Sequence, residues 1–191
     1  SQALALAAMA LARSRALRVH VRIDERVAGF TALGIARETG VPVPVVCTSG
    51  TAAGNLLPAA MEAYHAGVPL LLLTADRPPE LRGVGANQAT MQPGLFGSFT
   101  RMDVDADVPS ADSGSVWAGL GERAVRAALG LEGEGLTGVA GPVHLNLPFR
   151  EPLSAATAVT ASPGAAPSLA PEAPTVLDRG LRTVVIAGAD A

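Results

Sequence analysis

The sequence predicts an α/β protein with a parallel sheet flanked by helices, and two observations support this prediction. Short apolar runs of strand length alternate with longer helical patterns over most of the chain. The runs at 41–48 and 68–74 are almost wholly apolar, which is typical of parallel strands buried on both faces. Because parallel strands require a crossover connection, we expect helices between them.

The predicted elements follow one another without long gaps. Ala and Leu dominate residues 3–15 and predict a helix, and the β-branched run 18–23 predicts a strand. This strand would lead directly into helix 25–39, which ends before Gly40. The remaining predicted elements are strand 41–48, helix 51–65, strand 68–74, a short polar strand 101–105, helix 113–131 and strand 142–147.

Composition predicts how the chain is divided. Residues 154–180 are rich in Ala, Pro, Ser and Thr without any period, which predicts a linker after a first domain at 1–153. The apolar run 183–187 lies within residues 181–191, which we interpret as the truncated start of a second α/β domain. The chain opens on a helical pattern without an initiator Met, so we expect its beginning to be missing.

Charge and cysteine content narrow the function classes. With 191 residues, 49% hydrophobic, and a net charge of -3, the chain favours neither nucleic acid nor an anionic membrane as a partner. No apolar run approaches the roughly 18 residues of a membrane span. Cys47 is the single cysteine, so a disulfide framework is excluded and the cytoplasm is expected. His20, His65 and His144 show no metal-ligand spacing, and no metal site is predicted.

Glu25 is the candidate catalytic carboxylate. It follows the predicted strand 18–23, and the carboxyl end of a parallel strand is where α/β sheets bind ligands. The free N–H groups and dipole of a first helical turn also favour negative charge. The alternative is structural, because Asp24 and Glu25 also suit an N-cap and a first-turn acid. The stretch by itself leaves both interpretations open.

Two loops carry the other candidates. Residues 48–55 join a strand to a helix with small or hydroxyl side chains, which lets a ligand approach backbone N–H groups. The loop lacks the Lys of a P-loop and the spaced glycines of a dinucleotide fingerprint, and the stretch in isolation favours a tight turn capped by Ser49 or Thr51. Arg77 lies beside two prolines and is either a rigid clamp for a carboxylate or a solvated charge.

Five groups of residues resemble one family in order and spacing. They are Asp24-Glu25-Arg26; Thr48-Ser49-Gly50-Thr51-Ala52 with Asn55-Leu56; Thr74-Ala75-Asp76-Arg77-Pro78-Pro79-Glu80-Leu81; Gly85-Ala86-Asn87-Gln88 with Gln92-Pro93-Gly94-Leu95-Phe96; and Gly141-Pro142-Val143-His144 with Asn146-Leu147-Pro148-Phe149-Arg150-Glu151-Pro152-Leu153. They closely resemble the N-terminal part of the 2-succinyl-5-enolpyruvyl-6-hydroxy-3-cyclohexene-1-carboxylate synthases, the thiamine-diphosphate enzymes of menaquinone biosynthesis. The resemblance covers residues 1–153 and, weakly, 183–187. The segments 76–81 and 85–88 are its most specific part, whereas the Glu25 stretch alone indicates only the wider thiamine-diphosphate superfamily.

The resemblance implies a pyrimidine-binding domain for thiamine diphosphate, with the domain that binds the diphosphate and Mg²⁺ absent from this chain. Glu25 matches the glutamate that hydrogen-bonds the ring nitrogen of the aminopyrimidine and shifts it to the imino form. A partly desolvated site and a raised pKa would suit that role. Gly50, Thr51 and Asn55 match the loop around the aminopyrimidine.

Arg77, Asn87 and Gln88 match positions that contact substrate in this family. The implied reaction decarboxylates 2-oxoglutarate and adds the four-carbon unit to isochorismate, and both substrates are carboxylates that an arginine and amide donors can hold. In this family a Cys-Pro-Gly-Ser-Arg loop, whose serine and arginine also bind substrate, precedes the position where this chain begins. We therefore expect the first strand and those groups to be missing and the chain to be inactive alone.

The resemblance also implies a homodimer or tetramer with the active site at a subunit interface. The helix that begins at Thr51 carries no charge before Glu62 and is a candidate for that interface. A helix buried within its own domain explains the same pattern equally well.

Two other function classes remain open. A decarboxylase or an acetolactate-synthase-like relative shares the fold and the glutamate, but not the Asp76-Arg77-Pro78-Pro79 and Asn87-Gln88 segments. A binding module that keeps the fold without catalysis would be favoured if Glu25 were absent, and it is present.

Overall fold

The computed structural model describes residues 1–132 and 138–153. The predicted linker 154–180 and the predicted second-domain start 181–191 lie outside the described residues. In chain order the described elements are α1 (Gln2–Arg13), α2 (Glu25–Thr39), β1 (Val43–Cys47), α3 (Thr51–Gly54), α4 (Leu57–His65), β2 (Leu70–Asp76), a 3₁₀ turn (Pro79–Leu81), β3 (Met102–Asp105), α5 (Gly114–Ala128) and β4 (Pro142–Pro148).

The four strands form one parallel sheet in the order β1-β2-β4-β3, which confirms the predicted fold class. β2 and β4 occupy the centre and are buried at nearly every position. Most of their residues are apolar, because each of these strands packs against other elements on both of its faces. The predictions for β1, β2, β3 and β4 are confirmed to within two residues at each end.

Helices cover both faces of the sheet. Leu70 and Leu72 point to one face, where they pack with α2 and α4. Leu71 points to the other face and packs with residues of α5. This alternation follows from the two-residue period of a strand. The α2 and α4 face carries the candidate site, because Glu25 is the first residue of α2.

The predicted helix 25–39 is confirmed at both ends. The Asp24 carboxylate accepts a hydrogen bond from the Val27 N–H at 2.9 Å, and Gly40 ends the helix with φ 67°. Gly29 allows α2 to approach α4, because a Cβ there would lie 2.9 Å from the Ala59 Cβ. The cap and the close contact together fix the first turn of α2.

The predicted strand 18–23 is wrong. No strand forms there, and Val21 and Ile23 are 80% and 101% exposed. A strand needs a neighbour to complete its hydrogen bonds, and among the described residues β1 pairs only with β2. The β-branched pattern is present in the sequence, but no described strand pairs with it.

The single predicted helix 51–65 is also wrong, since α3 and α4 are separate helices. Pro58 has no N–H to donate to a preceding turn, and it occupies the first turn of α4 instead. The helices predicted at 3–15 and 113–131 are present but shorter, as α1 and α5. None of the helices in the described part of the chain is long and apolar enough to cross a membrane.

Candidate functional site

Glu25 opens α2 and is half-buried near the end of β1. Its charge acts on the Cys47 thiol, whose pKa is raised to about 12, first by burial and then by Glu25. Because Cys47 ends β1 and the 48–55 loop follows it, the carboxylate and the loop share one edge of the sheet. The expected strand before Glu25 is absent, so the Asp24 cap and the packing of α2 position the side chain.

Hydrogen bonds to residues 88 and 92 of a neighbouring loop hold the 48–55 loop in place. The Ser49 hydroxyl donates to the Gln88 carbonyl at 2.9 Å, and the Gly50 N–H donates to Gln92 Oε1 at 2.8 Å. Gly50 has φ 80°, a conformation that glycine adopts most readily. α3 makes no side-chain cap hydrogen bond, so the alternative in which Ser49 or Thr51 caps this helix is wrong.

Thr51 and Asn55 lie on α3 and at its end. Thr51 is exposed, and the Asn55 side-chain amide donates to the Thr51 carbonyl at 3.2 Å. This hydrogen bond ties the Asn55 side chain to the first residue of α3, so Thr51 and Asn55 both place polar groups on the short helix that follows Gly50.

The structure brings Arg77, Asn87 and Gln88 together. Arg77 donates from Nε and Nη2 to the Asn87 carbonyl at 3.1 and 2.7 Å. Gln88 has φ 57° and donates its side-chain amide to the Ser49 carbonyl at 2.9 Å and to Thr48 Oγ1 at 3.2 Å. These contacts join the predicted substrate residues to the predicted cofactor loop, although the contact of these residues with substrate remains a prediction.

A buried polar cluster lies beneath these loops, and the sequence analysis assigned it no function. We name it the polar row, and its members are Thr74, Asp76, Gln92, His144 and Asn146. Strand register places Thr74, Asn146 and Asp105 side by side across β2, β4 and β3. His144 lies two residues before Asn146 in β4. Its Nε2 is 2.8 Å from Thr74 Oγ1, and its Nδ1 is 2.9 Å from Asp103 Oδ2.

Hydrogen bonds connect the polar row from end to end. Asn146 donates to Asp76 at 2.9 Å and to Asp105 at 2.8 Å, and it accepts from Gln92 at 2.9 Å and from Thr74 at 3.1 Å. No buried side-chain nitrogen or oxygen lacks a partner within the described residues. A fully satisfied network of this kind rigidifies a core.

Arg82 closes the polar row at its solvent end. Its guanidinium forms a two-point contact with Asp105, at 2.6 and 2.9 Å, and reaches Asp76 at 3.0 Å. The hydrogen bond from Arg82 lowers the pKa of Asp105, and the same pairing raises the pKa of Arg82. The carboxylates are therefore neutralised by a cation rather than left as uncompensated charges.

The three histidines have the surface or buried structural positions that the sequence predicts. His144 is fully buried with hydrogen-bond partners, while His20 and His65 are exposed. No group of three or more His, Cys, Asp or Glu side chains within residues 1–132 and 138–153 could hold a metal ion.

Residues 2–96 match the family described as thiamine pyrophosphate enzyme, N-terminal TPP binding domain. The chain belongs to the thiamine pyrophosphate enzymes, and the matched part includes Glu25 and both loops that meet at the site.

Within that class the chain is similar to proteins named 2-succinyl-5-enolpyruvyl-6-hydroxy-3-cyclohexene-1-carboxylate synthase. The relative from Leifsonia xyli is 54% identical over 200 residues, which cover 100% of this chain and 33% of the relative. The relative from Kineococcus radiotolerans is 49% identical over 98% of this chain and 34% of its own length. The relative from Renibacterium salmoninarum is 59% identical over 74% of this chain and 24% of its own length. The chain thus spans about a third of the length of such relatives or less.

Proposed function

We propose that this chain is part of a thiamine-diphosphate-dependent synthase. The synthase decarboxylates 2-oxoglutarate and joins the resulting succinic semialdehyde unit to isochorismate, giving 2-succinyl-5-enolpyruvyl-6-hydroxy-3-cyclohexene-1-carboxylate for menaquinone biosynthesis. The observation that carries this proposal is the 54% identity to a synthase of that name over the whole of this chain. The packing of α2, which begins at Glu25, against β1, which leads into the 48–55 loop, supports it independently.

The chemistry of the site fits the aminopyrimidine of thiamine diphosphate. A half-buried carboxylate at the first turn of a helix can accept a hydrogen bond from a ring nitrogen, and Glu25 is such a group. Gly50 lets the 48–55 loop lie close to Gln88, because a Cβ at position 50 would lie only 3.0 Å from the Gln88 Cγ. When bound, thiamine diphosphate supplies the nucleophilic carbon for the decarboxylation. In this proposal Glu25 holds the pyrimidine ring and its proton, while Gly50, Thr51 and Asn55 bound the ring.

Arg77, Asn87 and Gln88 orient the carboxylate substrates in this proposal. Arg77 Nη1 makes no hydrogen bond to a described residue, whereas Nε and Nη2 both contact the Asn87 carbonyl. A guanidinium held on one side in this way can offer its other side to a substrate carboxylate. Asn87 is exposed beside it and provides an amide for the same task. The Gln88 amide donates to Ser49 and Thr48, so in this proposal Gln88 takes part by holding the loop at this edge.

The complete enzyme in this proposal binds the diphosphate and Mg²⁺ through a domain outside this chain. It is a homo-oligomer, a dimer or tetramer, whose interface passes the Glu25 edge. Exposed apolar side chains near Glu25 support this arrangement, namely Ile23 at 101%, Val27 at 51% and Phe30 at 41% exposed. The uncharged segment that begins at Thr51 does not support this interface, because its residues Leu56, Ala60 and Ala63 are buried within their own domain. The buried thiol of Cys47 is consistent with a cytoplasmic enzyme.

The proposal is tested in the full-length protein with thiamine diphosphate, Mg²⁺, 2-oxoglutarate and isochorismate. We expect product formation, and we expect Glu25→Gln to lower turnover by about 2 to 4 orders of magnitude, since general acid–base assistance contributes that much. Glu62→Gln is the matched control, because Glu62 is an exposed carboxylate on α4 and should leave turnover unchanged.

Three results would contradict parts of this proposal. Turnover of Glu25→Gln at the unmutated rate would remove Glu25 from the reaction. Activity with pyruvate and none with 2-oxoglutarate would favour an acetolactate-synthase-like enzyme. Absence of thiamine diphosphate binding would favour a module that keeps the fold without catalysis.

A further inference from the structure

Gln92 is a fully buried amide with three partners on three separate segments. Its Oε1 accepts from the Gly50 N–H at 2.8 Å. Its Nε2 donates to the Ala75 carbonyl at 3.0 Å and to Asn146 Oδ1 at 2.9 Å. Gln92 itself is 0% exposed, so these hydrogen bonds are shielded from solvent. The side chain therefore ties the 48–55 loop to β2 and β4 at a fixed distance.

The residue type at position 92 follows from these contacts. Gly50 requires an acceptor, while the Ala75 carbonyl and Asn146 Oδ1 both require a donor. Among side chains of this length only an amide supplies both, because an ionised carboxylate cannot donate, and a methionine sulfur cannot donate and accepts only weakly. A substitution leaves the buried Gly50 N–H without a partner, and an unpaired buried donor favours movement of its segment toward solvent.

Because Gly50 lies in the 48–55 loop, movement of its N–H would displace this loop. Gly50 stands between Cys47, on which the Glu25 charge acts, and the first turn of α3. Its φ of 80° and ψ of −141° are held from two sides, by Gln92 through the N–H and by Gln88 through Ser49. Release of the Gln92 contact would free one side of this turn.

We propose that Gln92 is a positioning residue that sets the 48–55 loop against Glu25 for binding of the aminopyrimidine. This inference rests on the proposed cofactor, and it adds a residue that lies beneath the loop and not in it. Gln92 acts through the Gly50 backbone and does not itself face the ring, because all of its amide contacts point into the protein. Its loss should therefore weaken cofactor binding more than substrate binding.

The test compares Gln92→Met with Thr74→Val in the full-length protein. Thr74 is equally buried and belongs to the same polar row, but its hydroxyl is hydrogen-bonded to His144 and Asn146 and not to Gly50 or Gln92. Calorimetric titration with thiamine diphosphate in the presence of Mg²⁺ gives the cofactor Kd, and thermal unfolding without cofactor gives the stability. We expect both variants to unfold at lower temperature. Only Gln92→Met should raise the cofactor Kd, by about tenfold, as expected for one lost hydrogen bond.

Equal cofactor Kd values for Gln92→Met and the unmutated protein would overturn the inference, as would an equal rise in Thr74→Val. If Gln92→Met does not fold, Gln92→Asn replaces it, because its amide is one methylene too short to reach Gly50. Hydrogen exchange of peptides spanning residues 48–55 provides a second readout, with faster exchange expected in the position-92 variant alone. Turnover of 2-oxoglutarate and isochorismate by the unmutated protein tests the proposed reaction separately from the Gln92 inference. An enzyme that binds thiamine diphosphate but acts on another 2-oxo acid would refute the proposed reaction and leave the Gln92 inference standing.

Discussion

The two halves of the central strand β2 are equally buried but differ in chemistry. In its first half Leu70 and Leu72 point into the apolar core against α2 and α4. In its second half Thr74 and Asp76 point to the same face and enter the polar row. Burial of leucine is favourable by itself, whereas burial of a polar group is near neutral even when every hydrogen bond is made. The first half therefore stabilises the domain, and the second half fixes the position of the loops above it.

Leu72→Ala should show the largest stability effect of the predictions that test this difference. Leu72 is fully buried at the centre of the sheet, so the truncation leaves a cavity and costs about 3 kcal/mol. Hydrogen exchange of peptides that cover β2 in the full-length protein measures this loss. The cofactor Kd of the folded variant should remain unchanged, because the Leu72 side chain makes none of the hydrogen bonds that hold the 48–55 loop.

Val46→Ala is the matched control for this experiment. Val46 is an apolar residue of β1 that is 36% exposed, so its truncation removes less buried surface. If both variants lost equal stability, the apolar half of β2 would not be the main source of stability. A rise in the cofactor Kd of Leu72→Ala would show that the two halves are not separable.

Arg82→Met should have a smaller effect that depends on pH. Arg82 holds the pKa of Asp105 below its usual range, so this pairing stabilises the fold above the unfolded pKa of about 3.9. The contribution disappears as pH falls through the lower pKa of the folded state. The Arg82→Met protein should therefore be less stable than the unmutated protein at neutral pH by at least about 1 kcal/mol, since partial exposure weakens the Asp105 pair but the buried Asp76 also loses its cation. The difference should shrink as the solution is acidified.

Thermal unfolding of the full-length protein over a range of pH measures this difference. Glu80→Gln is the control, because Glu80 pairs with Arg150 at 2.6 Å on the surface. Arg150 lowers the pKa of Glu80 to about 2, yet both side chains are about half exposed and the pair is screened by solvent. We expect no measurable change in stability at neutral pH. A difference for Arg82→Met that did not vary with pH would contradict the assignment to Asp105.

The same sequence signal succeeds in one strand of this chain and fails in another segment. Residues 18–23 and β1 are both rich in β-branched side chains, and a strand was predicted for each. β1 pairs with β2, whereas residues 18–23 have no described strand beside them. Pairing depends on residues distant in sequence, so a local pattern cannot predict it. The ends of α2 were predictable because the Asp24 cap and Gly40 act within a few residues.

The site was predictable where short motifs carry it and not where it depends on side chains beneath the loops. Glu25 and the two loops stand out as acidic, small or rigid residues after apolar runs. The polar row depends on the register between β2 and β4, which no local spacing reveals. One signal was available, since His144 and Asn146 alternate with apolar residues in an otherwise buried strand. Two polar residues on one face of such a strand indicate a buried network.

The central claim is that the aminopyrimidine of thiamine diphosphate binds between Glu25 and the loop that Gln92 holds. A structure of the full-length protein with thiamine diphosphate and Mg²⁺ bound tests it most directly. The account predicts a Glu25 carboxylate oxygen about 2.6–3.2 Å from a pyrimidine ring nitrogen, the usual hydrogen-bond range, with the Gly50 N–H still donated to Gln92. A pyrimidine ring bound away from Glu25, or a Gly50 N–H turned from Gln92 toward the cofactor, would contradict it.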